Sequence, residues 1–185
     1  MTNKPDLVLL FSGGFDSTVL LELAIALGYN PLCLTFNYGQ THSREVECAK
    51  KMCEEKKVEQ QIINIPFPVR SALTTGEKSL YSGVSPWYVP SRNLIFIAYA
   101  ASIAEERGIN LIWYGANYSG FRNRVPDCTQ EWVGKVNEVL QQNGSFPITL
   151  VAPLLGMSNE LVATIGKKLF GVSEEKVLSG YGQSV

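Results

Sequence analysis

Seven consecutive residues, Ser12-Gly13-Gly14-Phe15-Asp16-Ser17-Thr18, combine the groups needed to hold a polyphosphate. Two adjacent glycines let a backbone turn sharply and approach a ligand closely. Ser12 and Ser17 carry hydroxyl donors, and the carboxylate of Asp16 is an oxygen ligand suited to a phosphate-bound Mg2+. An apolar run, Leu7-Val8-Leu9-Leu10-Phe11, precedes the motif, and a helical pattern, Val19 to Leu27, follows it. A turn between a buried strand and a helix aims several backbone N–H groups at one point, and the helix dipole adds positive potential there. The spacing is not a Walker loop, since no Gly-Lys-Ser/Thr follows. Nor is it a dinucleotide fingerprint, since Gly-x-Gly-x-x-Gly is absent.

Three further segments carry polar chemistry. Asn37-Tyr38-Gly39-Gln40-Thr41-His42 can offer backbone contacts to adenine and polar groups to a second substrate, or form only a turn and helix cap with His42 in it. Val89-Pro90-Ser91-Arg92-Asn93 opens an apolar helix. A cation at a helix N-terminus opposes the dipole unless an anion is also present, so Arg92 reads as a phosphate or carboxylate partner, the alternative being a solvated arginine. Asn117 to Cys128 mixes aromatics, two arginines and Asp127 in a substrate-reading loop. Asp127 can hold a metal, accept from a planar base, or cap the next helix.

The elements that position these segments alternate. Strands are expected at Leu7–Phe11, Leu32–Phe36, Gln60–Ile65, Leu111–Gly115 and Thr149–Val151, with helices at Val19–Leu27, Ser43–Lys57, Asn93–Arg107, Gln130–Asn143 and Ser158–Phe170. A long Gly-, Ser-, Thr- and Pro-rich loop, Phe67 to Pro90, reads as functional or mobile. Such alternation predicts an α/β fold: an open, mostly parallel five-stranded sheet with helices on both faces, Rossmann-like in layout. Right-handed crossovers put every strand-to-helix loop on one edge, so the loops after Phe11, Phe36, Ile65 and Gly115 form one site beyond the strand ends.

Composition bounds the rest. With 185 residues, 45% hydrophobic and 18% charged, residues 1–185 read as one domain with an ample core. A formal net charge of -1 gives no global field to draw nucleic acid. No signal-peptide run opens the chain and no apolar run reaches membrane-spanning length, so a cytoplasmic protein with no membrane partner is expected. The four cysteines include no Cys-x-x-Cys and there is one histidine, so no zinc site and no Ser/His/Asp triad are expected.

Ser-Gly-Gly-Phe-Asp-Ser resembles the pyrophosphate loop of ATP pyrophosphatases, which split ATP into AMP and pyrophosphate. Together with Leu34-Thr35-Phe36-Asn37-Tyr38-Gly39-Gln40, His42 and Glu45, then Val89 to Asn93, then Tyr118-Ser119-Gly120 and Pro126-Asp127-Cys128, and Pro153-Leu154, it is similar in order and spacing to the 7-cyano-7-deazaguanine synthase family. The resemblance covers nearly the whole chain and implies an adenine nucleotide alpha hydrolase-like fold. It implies that Ser12, Gly13, Gly14, Phe15, Asp16, Ser17, Thr18, Thr35, Phe36 and Arg92 bind ATP, with Asp16 on Mg2+. Asp16, Ser17 and Arg92 would serve catalysis, and Tyr38, Gln40, His42, Asn93, Tyr118 and Asp127 would hold the second substrate. The implied partners are a small deazapurine carboxylate and ammonia. In the implied reaction 7-carboxy-7-deazaguanine is adenylated, ammonia gives the amide, and a second adenylation with dehydration gives 7-cyano-7-deazaguanine. A homodimer or a protein partner stays open.

The chain departs from that family in three places. Gly180 stands where the first cysteine of the family's C-terminal zinc cluster falls, and Asn159 where a lysine usually follows Ser158. Asn117 precedes Tyr118 in place of an aspartate, with Arg122 to Val125 inserted behind it. Two alternatives follow: a diverged relative that stops at the amide or conjugates the activated carboxylate to another amine, on a protein for instance, or a non-catalytic nucleotide-binding subunit.

Overall fold

The structure, a computed structural model, describes residues 4–40, 44–66, 88–117 and 126–172. Five strands, β1 (Leu7–Leu10), β2 (Pro31–Asn37), β3 (Glu59–Asn64), β4 (Leu111–Trp113) and β5 (Thr149–Val151), form one sheet in the order β3-β2-β1-β4-β5. Every pairing is parallel, with Leu9 opposite both Cys33 and Trp113. The helices among the described residues are α1 (Phe15–Ala26), α2 (Arg44–Lys56), α3 (Arg92–Arg107), α4 (Gln130–Asn143) and α5 (Asn159–Phe170), with a 3-10 turn at Pro126–Cys128. The expected α/β architecture is the observed one.

Alternation along β1 sorts the core into two layers. Val8 joins Phe96, Ile97 and Ala100 of α3 and Val133 and Val136 of α4 on one face. Leu7 and Leu9 join Val19 and Leu20 of α1, Ala49 and Cys53 of α2, and Val162 of α5 on the other. The strands of the central sheet are buried on both sides, which is why they read as unbroken apolar runs. The chain builds β2 and β3 to one side of β1, then crosses over to lay β4 and β5 on the other. That reversal opens a crevice between the carboxyl ends of β1 and β4.

Two boundaries matter for the site. α1 begins at Phe15, four residues before the expected Val19, so Phe15 to Thr18 are its first turn rather than a loop ahead of it. Gly14 is the N-cap in extended conformation, and Thr18 N–H makes the first helical bond to Gly14 O at 3.0 Å. α3 likewise begins at Arg92 rather than Asn93.

Candidate active site

Gly13 turns the chain out of β1 with φ at +81°. A Cβ there would lie 2.7 Å from Glu45 O and 2.8 Å from Ala49 N, so the turn is seated directly on the backbone of α2. Behind it a closed ring of hydrogen bonds shapes the motif. Gly14 N–H donates to Ser12 Oγ at 3.2 Å, and Ser17 Oγ donates to Gly14 O at 2.9 Å. With its own proton so used, Ser17 Oγ accepts from the Ser12 hydroxyl at 3.2 Å. Thr18 Oγ1 also donates to Gly14 O, at 2.9 Å. Among the described residues no side chain caps α1, so the first-turn amides keep their capacity for an anion.

Asp16 projects from this first turn. Burial pushes its carboxyl above the ordinary range. Asn117, after β4, donates to Asp16 Oδ2 at 2.7 Å and to Asn159 Oδ1 of α5 at 3.0 Å. The contact spans the crevice between β1 and β4. α5 reaches it because Gly166 lets that helix close on α1, where a Cβ would lie 2.8 Å from Val19 and 2.9 Å from Phe15. A half-buried carboxylate beside the Ser12 and Ser17 hydroxyls is a set of hard oxygen donors that fits Mg2+, and a cation there would offset the desolvation that raises Asp16.

A second group of contacts lies along the same edge. Arg92, the first residue of α3, donates from Nη1 to the Tyr38 hydroxyl at 3.1 Å, and its guanidinium stands 5.7 Å from the centre of the Tyr38 ring. The ring face and the hydroxyl oxygen relieve part of the conflict between the cation and the helix dipole. Arg92 is therefore pinned by the β2 loop rather than loose in solvent. Asn93 donates to Asp127 Oδ2 at 2.7 Å, and Tyr114 Oη donates to Asp127 O at 2.7 Å. The capping alternative for Asp127 is corrected: α4 is capped by Thr129, whose hydroxyl accepts from Trp132 N–H at 3.1 Å, because Asp127 lies in the 3-10 turn before the cap position. Burial, with Asp127 beside it, pushes the Cys128 thiol up to about 12, so it is a neutral thiol at neutral pH.

Other expected site residues are occupied by the scaffold. Gln40 accepts from Tyr38 N–H at 2.9 Å and donates to Phe36 O at 3.2 Å, which folds its own loop. Thr35 donates to Phe11 O and accepts from Gln60, each at 2.8 Å. Phe36 stacks on Phe96 with centroids 4.1 Å apart. What these two can offer a nucleotide is backbone. His42 and Tyr118 lie outside the described residues. Among the described residues no three His, Cys, Asp or Glu side chains gather to hold a metal, and no helix is long and apolar enough to cross a membrane.

Residues 6–184 match the family described as queuosine biosynthesis protein QueC. The chain belongs to this family. Among curated relatives, a 7-cyano-7-deazaguanine synthase of Picrophilus torridus is 36% identical over 178 residues, 88% of this chain and 73% of its own. A second, from a Cyanothece strain, is 33% identical over 95% of this chain and 83% of its own. In three dimensions the QueC-family chain resembles the U34-tRNA thiolase NcsA of Methanococcus maripaludis, with a TM-score of 0.59, at 19% identity over 91% of this chain and 58% of that one. It also resembles an NH3-dependent NAD synthetase of Campylobacter jejuni, with a TM-score of 0.59, at 17% identity over 99% of this chain and 71% of that one. At those identities the likeness is one of fold.

Asn117, which contacts Asp16, and Asn159, which contacts Asn117, were not assigned a site role by sequence reasoning. Both stood out only as departures from a resembling pattern. The available signal was position: Asn117 follows an apolar strand at the site edge, and Asn159 follows a helix-capping serine on that edge.

Proposed function

We propose that this chain is an ATP-dependent ligase of the 7-cyano-7-deazaguanine synthase type. The observation that carries the proposal is the β1–α1 turn, where Gly13, the uncapped amides of α1, Ser12, Ser17 and Asp16 face the crevice between β1 and β4. Family membership supports the choice of substrate. The turn and the first-turn amides of α1 hold the β- and γ-phosphates, the Ser12 and Ser17 hydroxyls exchanging their internal bonds for phosphate oxygens. Asp16 would hold Mg2+, which would supply positive charge to neutralise the pyrophosphate. A carboxylate oxygen of 7-carboxy-7-deazaguanine attacks the α-phosphorus, and the bond to pyrophosphate breaks. Ammonia then attacks the acyl carbon, releasing AMP and leaving the amide after proton loss. In a second round the amide oxygen attacks the α-phosphorus of another ATP, releasing pyrophosphate, and loss of AMP with both amide protons leaves the nitrile. Arg92 neutralises phosphate charge, and Asn93 with Asp127 presents polar atoms to the deazapurine. Such chemistry depends on positioning and charge rather than on a side-chain nucleophile, consistent with the neutral Cys128.

One observation favours a second reading. The residue opening α5 is the neutral Asn159, bonded to Asn117, which leaves less positive charge for a second adenylation. A product that stops at the amide, or a conjugate to another amine, fits that lower charge. Mass spectrometry of products from ATP, ammonium and 7-carboxy-7-deazaguanine decides. Nitrile with AMP and pyrophosphate is expected; amide alone selects the second reading, and no pyrophosphate refutes both.

A further inference from the structure

Asn117 is 7% exposed, and its side-chain amide carries two hydrogens. Both are directed: one to Asp16 Oδ2 at 2.7 Å, the other to Asn159 Oδ1 at 3.0 Å. The three residues come from the first turn of α1, the segment that follows β4 and the first residue of α5. We infer that Asn117 is a positioning residue for the carboxylate of Asp16: Asn159 orients the Asn117 amide, the amide holds Oδ2, and Oδ1 is thereby presented to the cation of bound MgATP. This rests on the ATP reading above.

The chemistry of the donor supports the role. The plane of an aspartate carboxylate rotates over a broad, two-fold torsion, so packing alone does not decide which oxygen faces a ligand. A short bond to one oxygen decides it. A lysine or arginine in the same place would compete with Mg2+ for the carboxylate charge, and a second carboxylate would repel it. A neutral amide orients the group and leaves its charge for the cation. Asn159 has the same logic one step out, since its carbonyl oxygen fixes which way the Asn117 amide faces. Ser158, not Asn159, caps α5, accepting from Leu161 N–H at 3.2 Å, so the Asn159 side chain is not needed to start its helix.

The test is calorimetric titration of Mg2+ into the full chain saturated with α,β-methylene ATP, which binds without turnover. Asn117→Leu should weaken Mg2+ about ten- to a hundredfold, and Asn159→Ala about three- to tenfold, for loss of bonds made directly or indirectly to a charged group. The double variant should bind Mg2+ no more weakly than Asn117→Leu alone, because Asn159 acts through Asn117. Affinity for the analogue without Mg2+ should change less than about twofold in Asn159→Ala, a separation that a merely structural cross-link would not produce. Wild-type Mg2+ affinity in both single variants, or full additivity in the double variant, overturns the inference. Failure of the wild-type chain to bind the analogue counts against the ATP reading instead. In that event, or if Asn117→Leu does not fold, the side-chain amide signals of Asn117 in the nucleotide-free chain give the answer. Asp16→Asn and Asn159→Ala should each shift them; no shift in either overturns the network.

Discussion

Replacing Gly13 by alanine tests the seat of the proposed phosphate turn, and its expected effect can be worked from the structure. Gly13 holds φ at +81°, a region that costs an L-residue about 1–2 kcal/mol. The added methyl would also sit 2.7 Å from Glu45 O and 2.8 Å from Ala49 N, where ordinary contact begins near 3.4 Å. Both neighbours are backbone atoms of α2, so the helix itself must retreat, an overpacking cost of about 1–3 kcal/mol. The sum is about 2–5 kcal/mol of stability. Gly28 supplies the control: its φ is +87°, and a Cβ there meets nothing within 4 Å. Gly28→Ala therefore carries the backbone term alone, about 1–2 kcal/mol. Urea unfolding of both variants, compared at constant slope, isolates the contact with α2 as the difference. Equal midpoints would refute the claim that the turn is braced on α2. Pyrophosphate release with saturating MgATP measures the second consequence. A retreating α2 opens the turn, so folded Gly13→Ala should lose most of its turnover while Gly28→Ala keeps it. Wild-type turnover in Gly13→Ala would take the phosphates away from this turn.

Three other outcomes are expected. Asp16→Asn and Ser12→Ala should each lower ATP turnover by at least about a hundredfold while leaving the unfolding midpoint within the range of surface variants, and pyrophosphate release at the wild-type rate in either would remove that residue from the site. Arg92→Lys cannot keep both the bond to the Tyr38 hydroxyl and the stacked guanidinium, so turnover at saturating ATP should fall about ten- to a hundredfold, whereas Tyr38→Phe, which keeps the ring face, should lose less; unchanged kinetics in Arg92→Lys would make the arginine a surface residue. Metal analysis should find less than stoichiometric zinc, since four cysteines without a close pair and one histidine do not supply convergent ligands; one tightly held zinc per chain would refute this.

Much of this protein was legible in its sequence because the signals are local. Apolar runs separated by helical periods specify a parallel sheet, since strands covered on both faces have no polar side to show. Ser12 to Thr18 marked a strand-to-helix turn whose glycines, hydroxyls and carboxylate suit phosphate, and the structure places that turn between β1 and α1. The C-terminal glycine of α5, Gly171 at φ 65°, stops that helix where expected. Helix starts were less legible. The first turn of α1 contains Asp16, Ser17 and Thr18, polar residues that read as loop until their hydroxyls are seen returning to Gly14 O. Capping was one of three readings open for Asp127, but the 3-10 turn moves that duty two residues on, to Thr129.

What only the tertiary structure decided is which polar groups meet. Gln40 and Thr35 read as ligand contacts, yet their side chains complete hydrogen bonds of buried backbone, a demand that sequence does not display. Arg92 and Tyr38 lie on segments separated by a whole helix and strand, and Asp16, Asn117 and Asn159 on three. The crossover from β3 to β4 sets β4 beside β1, and the absent side chain of Gly166 lets α5 close on α1. Convergence of those residues depends on sheet order and helix packing distance, which no spacing along the chain encodes.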